Sequence, residues 1–292
     1  MFTGVIRALT GGLISLRRAL RRPRPGDEDS SEHAFQNNSL AGCPGLFPLS
    51  FTVRNEGPRL WSATLFAQSM KEASEVFLRY AGPWICVYDV SHYERDSSGT
   101  PSSLVELACD LGLAVTAPDR DVIVMPASKA AVFLEDLYHY NMSMYDIDRC
   151  NDADETLAHV LAAMDVRWDQ GELVLRVIEG AHFYLNSHDD CYLHIESRSW
   201  EHLRDHLRCL LGHYASSRLA VPVALPPAGL VDDYLARYDS MSIVDAQAEV
   251  IGGVLRAPCA AEPFHFDGVR PAAVAMVCLD AAAGEWSFEY IR

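Results

Sequence analysis

The stretch His182-Phe-Tyr-Leu-Asn-Ser-His-Asp-Asp-Cys-Tyr-Leu-His-Ile-Glu196, followed by Ser-Arg-Ser-Trp200, decides the fold class. Residues 182–186 and 191–196 read as strands because they are rich in aromatic and β-branched side chains, and Ser187-His-Asp-Asp190 reads as the turn between them. Strands joined by so short a turn pair antiparallel. A helix over 199–214 follows directly. Helices and mostly antiparallel strands therefore share one α+β body.

Working outward, residues 172–178 read as a further strand. Upstream, 60–80 reads as a helix burying Leu60, Leu65, Phe66, Phe77 and Leu78, and Ala81-Gly-Pro83 stops it. The apolar run 84–90 reads as a buried strand. A helix is expected at 102–112 and a short strand at 121–125. A helix over 127–141 would carry Val132, Phe133, Leu137 and Tyr140 along one side, and another is expected at 154–164. Downstream come helices near 229–237 and 243–256. Strands at 271–279 and 285–291 close the chain around Ala281-Ala-Ala-Gly284. The globular body so defined spans 46–292, and its change of rhythm near residue 150 permits two lobes.

Nearly half the 292 residues (49%) are hydrophobic and 22% are charged, which excludes a disordered or fibrous chain. No apolar run approaches the roughly 18 residues of a membrane-crossing helix. The net charge of −16 argues against nucleic acid as a partner of the body. None of the eight cysteines forms a C-x-x-C pair, so neither a zinc ribbon nor a dithiol redox motif is present. They read as reduced thiols in a cytoplasmic setting.

The first 22 residues differ from all that follow. Phe2, Ile6, Leu9, Leu13, Leu16 and Leu20 recur at steps of three and four, which places them on one side of a helix. Arg7, Arg18, Arg21 and Arg22 lie opposite, with Arg17 at the margin. No acid precedes Asp27, so residues 1–25 carry +6 and the remainder carries −22. Pro23 and Pro25 end the helix. Residues 23–45, rich in proline, glycine, serine and acids, form a flexible linker. This basic amphipathic pattern suits an interfacial helix, apolar side down and arginines against an anionic membrane surface. A mitochondrial-type presequence shares it. A stripe docked on the protein's own body is the third reading. Gly4, Gly11 and Gly12 each weaken the helix in water by about 1 kcal/mol relative to alanine, which favours a segment that orders against a surface.

Phosphate-binding glycine loops and the G-x-S-x-G elbow are missing. The densest chemistry lies at 182–213, which holds six of the eleven histidines. On the 199–214 helix His202, His206, Cys209 and His213 form one stripe. An i, i+4 histidine pair such as His202 and His206 can chelate zinc, with Asp189, Asp190 or His194 as a third ligand. His202-Leu-Arg-Asp-His206 approximates the inverted zinc-protease pattern H-x-x-E-H, with aspartate in place of glutamate. The plain alternative is a polar helix flank, and the competing use is a pH-responsive surface, since histidine titrates at about pH 6.5 unless its environment shifts it. Asp89 with His92, Asp119 with Asp121, Asp146 with Asp148, and His265 with Asp267 are weaker pairings of the same kind. Tyr138, Tyr140, Met142, Met144 and Tyr145 crowd aromatic and thioether side chains into eight positions. On a helix or its C-terminal loop half would face outward, the composition of a protein-contact core, while packing in the protein's own core is the commoner use of such residues.

Two functions follow as expectations. The first is a non-enzymatic protein-binding or regulatory protein of the adaptor, antagonist or immunity type. Its acidic body would meet a protein partner with a basic surface, while the N-terminal helix holds it, peripherally, to a membrane. It needs no cofactor. The second is a metal-dependent hydrolase using zinc at 188–213.

Overall fold

The computed structural model describes residues 49–66, 70–89, 108–109, 112, 115–117, 122–135, 142–149, 153–167, 170–188, 192–261 and 272–291. The N-terminal helix expected at 1–22, the linker at 23–45 and most of the helix expected at 102–112 lie outside these residues. In chain order the elements are β1 (Ser50–Gly57), β2 (Leu60–Phe66), α1 (Met70–Tyr80), β3 (Trp84–Asp89), β4 (Val115–Ala117) and β5 (Val122–Pro126). Then come α2 (Ala127–Glu135), β6 (Met142–Ile147), α3 (Ala153–Met164), β7 (Phe183–His188), β8 (Tyr192–Ser197), α4 (Trp200–Leu219) and α5 (Ala228–Leu235). The chain closes with β9 (Ser240–Ile243), β10 (Glu249–Ile251), β11 (Val254–Ala260), β12 (Ala273–Asp280) and β13 (Glu285–Tyr290). Single 3₁₀ turns occupy Val174–Arg176 and Asp245–Gln247.

The thirteen strands among the described residues belong to one sheet, in the order β13-β12-β11-β9-β1-β2-β8-β7-β6-β3-β5-β4, with β10 beside β11. Every pairing among the described residues is antiparallel. The α+β class with antiparallel strands is therefore the architecture. The sheet runs on across residue 150, where β6 pairs with β7, and one core joins Phe51, Met144, Leu185 and Val277.

The two faces of the sheet are covered differently. Along β3 and β6, Ile85, Val87, Met142 and Met144 face the core under α1 and α4. The alternate residues Cys86, Tyr88, Tyr145 and Ile147 face a second core, built with Val160 and Ala163 of α3 and with residues 173–178. A strand covered on both sides reads as continuously apolar, and all six residues of β6 are buried.

Three local expectations are corrected. The helix expected over 60–80 divides into β2 and α1. Asn55-Glu-Gly-Pro58 is the overlooked sign, because Gly57 (φ 137°) and Arg59 (φ 55°) turn the chain so that β2 pairs with β1. The helix expected over 243–256 is instead β9, a 3₁₀ turn and the β10–β11 hairpin. Gly252 and Gly253 (φ 60° and 82°) supply the two positive φ values that a tight hairpin needs. The strand expected over 172–178 is irregular backbone with the Val174–Arg176 turn, held by a buried carboxylate described below.

The expected helix at 199–214 is α4, extended to Leu219. Ser199 caps it by accepting the His202 amide hydrogen bond. At its other end Ala220 sits at φ 55°, a conformation that favours glycine. Ala220→Gly is expected to raise the unfolding free energy by roughly 0.5 kcal/mol, the relieved Cβ strain outweighing the added chain entropy. A rightward shift of the urea midpoint at constant slope checks it.

Candidate functional site

α4 carries His202 and His206 one turn apart on one side, and α1 and β7 close over them. Both imidazoles are fully buried, and their Nε2 atoms lie 3.1 Å apart. The His202 ring is 4.4 Å from that of Phe183, 5.4 Å from Tyr80 and 6.0 Å from Phe77. Two neutral imidazoles share one hydrogen there, so one Nε2 donates and the other accepts. The His202 Nδ1 has no partner. A buried lone pair costs less than a buried unpaired N–H, which favours His202 Nε2–H as the donor and leaves Nδ1 unprotonated. Burial pulls His202 down to about 3, against the attraction of Asp205. Burial, followed by His202 and Arg79, holds His206 well below its ordinary value.

A zinc ion on both Nε2 atoms would require an N–H at each Nδ1, normally bonded to an acceptor. His202 Nδ1 has none. No group of three metal-donor side chains occurs among the described residues. Asp189 and Asp190, two of the expected third ligands, lie outside those residues, and His194 turns to a carboxylate on the opposite face. The stripe itself divides. Burial raises the Cys209 thiol, and His213 Nδ1 lies 2.9 Å from Glu72 of α1, which raises that imidazole.

Beside the pair, Asp205 accepts hydrogen bonds from the Tyr80 hydroxyl (2.6 Å) and Arg208 (2.7 Å). Burial raises the Asp205 carboxyl, but Tyr80, Arg208 and Arg204 together outweigh it and hold the group low. Burial and that same carboxylate push the Tyr80 hydroxyl up to about 12. Arg204 and the Trp200 indole both donate to Asp232, which ties α4 to α5.

Two more carboxylates are buried and bind backbone rather than each other. Glu196 on β8 accepts from the amides of Val174 (2.9 Å) and Leu175 (2.7 Å) and from His194 Nε2 (3.0 Å). This interaction folds 170–178 against the sheet. Asp146 on β6 accepts through Oδ1 from the amides of His182 (2.8 Å) and Phe183 (2.6 Å), and through Oδ2 from Gly82 (2.9 Å). Asp148 lies beyond the end of β6 and meets His182 Nε2 at 3.2 Å, so the Asp146–Asp148 pair does not converge on a cation. Neither Glu196 nor the Tyr80–Asp205 contact was legible from local sequence. The only sign was that His194 and Glu196 alternate with apolar Leu193 and Ile195.

Of the residues expected at a protein contact, Met142, Met144 and Tyr145 are completely buried in β6, one of the inner strands. They are core side chains, so the partner-contact expectation is corrected for these three in favour of core packing. Tyr138 and Tyr140 lie outside the described residues, as do His92, Asp119, Asp121, His265, Asp267 and the Asp89 side chain. The outer surface offers two other features. A cleft of about 420 Å³ is lined by Ile147, Asp148, Arg149, Glu155, Glu179 and Gly180. The β10–β11 hairpin leaves Val250 42% and Ile251 69% exposed.

No helix among the described residues is long and apolar enough to cross a membrane. The five cysteines among those residues, Cys86, Cys109, Cys209, Cys259 and Cys278, are free thiols. Comparison with protein-family models, curated proteins and solved structures finds no match to the chain.

Proposed function

We propose that this chain is a non-enzymatic protein-binding or regulatory protein stationed at a membrane surface. The observation that carries the reading is the segregation of charge and apolar side chains along the sequence. Arg7, Arg17, Arg18, Arg21 and Arg22 flank the Phe2–Leu20 apolar stripe with no acid among them, while the rest of the chain carries −22. Arginine against anionic lipid is worth about 1 kcal/mol per residue near the surface, and the leucine side adds buried apolar area. An acidic body repels that same surface and attracts a basic protein partner, raising the encounter rate. The acidic lining of the 420 Å³ cleft agrees in sign with such a partner. Within the described core, Glu196 and Asp146 bind backbone amides, a use that supports a structural role for them.

The test is co-sedimentation with vesicles containing phosphatidylserine, comparing the full chain with a form beginning at residue 46. The full chain is expected to pellet at low salt, to release as salt rises through screening of the arginine contacts, and to lose binding on truncation. Equal binding by both forms would remove the tether. An intact mass lacking roughly the first 25 residues would replace it with organelle import. Stoichiometric zinc in the purified protein, lost in both His202→Ala and His206→Ala, would replace the binding-protein reading with the hydrolase.

A further inference from the structure

α1 is fastened to α4 through groups that gain or lose protons. The Tyr80 hydroxyl donates to Asp205, His213 meets Glu72, and the His202 ring packs against Phe77 and Tyr80. The groups facing the His202–His206 pair include Asp205 on α4 itself and Arg79 and Tyr80 on α1. β7 presents Phe183, and the strands beneath α4 present apolar side chains such as Leu65, Ile195 and Ala257. Asp232 of α5 is engaged on the far side by Trp200 and Arg204. A first proton settles on His202 Nδ1, among aromatic rings and without an acceptor. Asp205, the nearest carboxylate, is already committed to Tyr80 and Arg208. A second proton, on His206 Nε2, removes the acceptor of the bond between the imidazoles. Both histidines are depressed, so the closed interface binds fewer protons than the open one. Its stability is complete above about pH 6.5 and declines as pH falls. His213 has the opposite sign. Its raised value makes the Glu72 contact strongest in acid, and because the pair is half-exposed its opposition is weak.

We propose that the α1–α4 interface is an acid-operated latch: proton uptake by the His202–His206 pair separates α1 from α4 and uncovers the Phe77, Tyr80 and Phe183 aromatic cluster while the sheet stays folded. The latch is independent of where the protein resides. It is tested by amide exchange on the full chain between pH 7.5 and 4.5, corrected for the intrinsic effect of pH. Peptides covering 70–80 and 200–209 are expected to lose protection as pH falls below about 6.5, because opening exposes imidazoles that then take up protons, while 273–290 remains protected. The double variant His202→Phe, His206→Leu is expected to keep α1 protected across the range. His206→Gln retains a hydrogen-bonding partner for His202 but loses one proton site, so its midpoint moves to lower pH. Three results overturn the latch: α1 protected at pH 4.5 in the natural chain, loss of protection simultaneous with 273–290, or an unchanged midpoint in the double variant. Should the double variant fail to fold, an unchanged midpoint in His206→Gln overturns it equally.

Discussion

Glu196→Ala is expected to lower the unfolding free energy by about 4 kcal/mol. The carboxylate is fully buried and is the acceptor for Val174 N–H, Leu175 N–H and His194 Nε2–H. Truncation strands two buried amides at about 1–3 kcal/mol each and leaves a cavity, while relieving the cost of a buried charge. The stranded donors win, because they cannot pair elsewhere without unwinding the Val174–Arg176 turn. Glu196→Gln separates these terms. Its Oε1 still accepts one amide, but its NH₂ confronts the other, so roughly half the loss is expected. Urea unfolding gives the totals, and proteolysis locates the effect. Cleavage should concentrate within 170–181 before the sheet opens. A loss below 1 kcal/mol in the alanine variant would mean that the 170–178 segment is held by packing alone.

Asp146→Ala ranks next, at about 3–4 kcal/mol, because three amides from two separate segments converge on that carboxylate. Asp146→Asn should cost only about 1–2 kcal/mol. The Oδ1 contacts to His182 and Phe183 survive, and only the Gly82 amide faces a donor in place of an acceptor. Burial raises the Asp146 carboxyl above its ordinary value, even though the three amides and His182 pull it down. The folded value therefore exceeds the unfolded one, and ionisation at neutral pH costs stability that is recovered as pH falls through the raised range. The uncharged asparagine gains nothing from acid, so its deficit against the natural chain should widen on acidification. A deficit that narrows instead would show that the amide contacts, rather than burial, set the titration of Asp146. Thermal unfolding of both variants at a series of pH values measures it.

Periodicity alone located α4, α3, the β7–β8 hairpin and the β12–β13 pair. Each is a contiguous segment whose pattern is local: helical spacing, or two apolar runs around a short turn. It failed at 60–66 and 243–256. There the side chains suit either a helix or a strand, and the partner strand decides between them. Met142–Ile147 failed for another reason. A strand covered on both faces loses its alternation, so Met144 and Tyr145 resemble a contact surface when they are core.

The histidine stripe shows the same division at the candidate site. From spacing alone, His202 and His206 suit a metal, a polar flank or a pH-responsive element, since all three use i, i+4 imidazoles. Burial distinguishes them, and it depends on α1 and β7, which come from elsewhere in the chain. The mixed α+β class, the antiparallel hairpins and the separation of a basic leading segment from an acidic remainder were legible in the order of residues, because composition, turn chemistry and charge are properties of neighbouring residues. Only the packing of distant segments made Glu196 and Asp146 hold backbone amides and buried the two imidazoles against each other. Burial and hydrogen-bond partners arise between segments 20 to more than 100 residues apart, which no local pattern encodes.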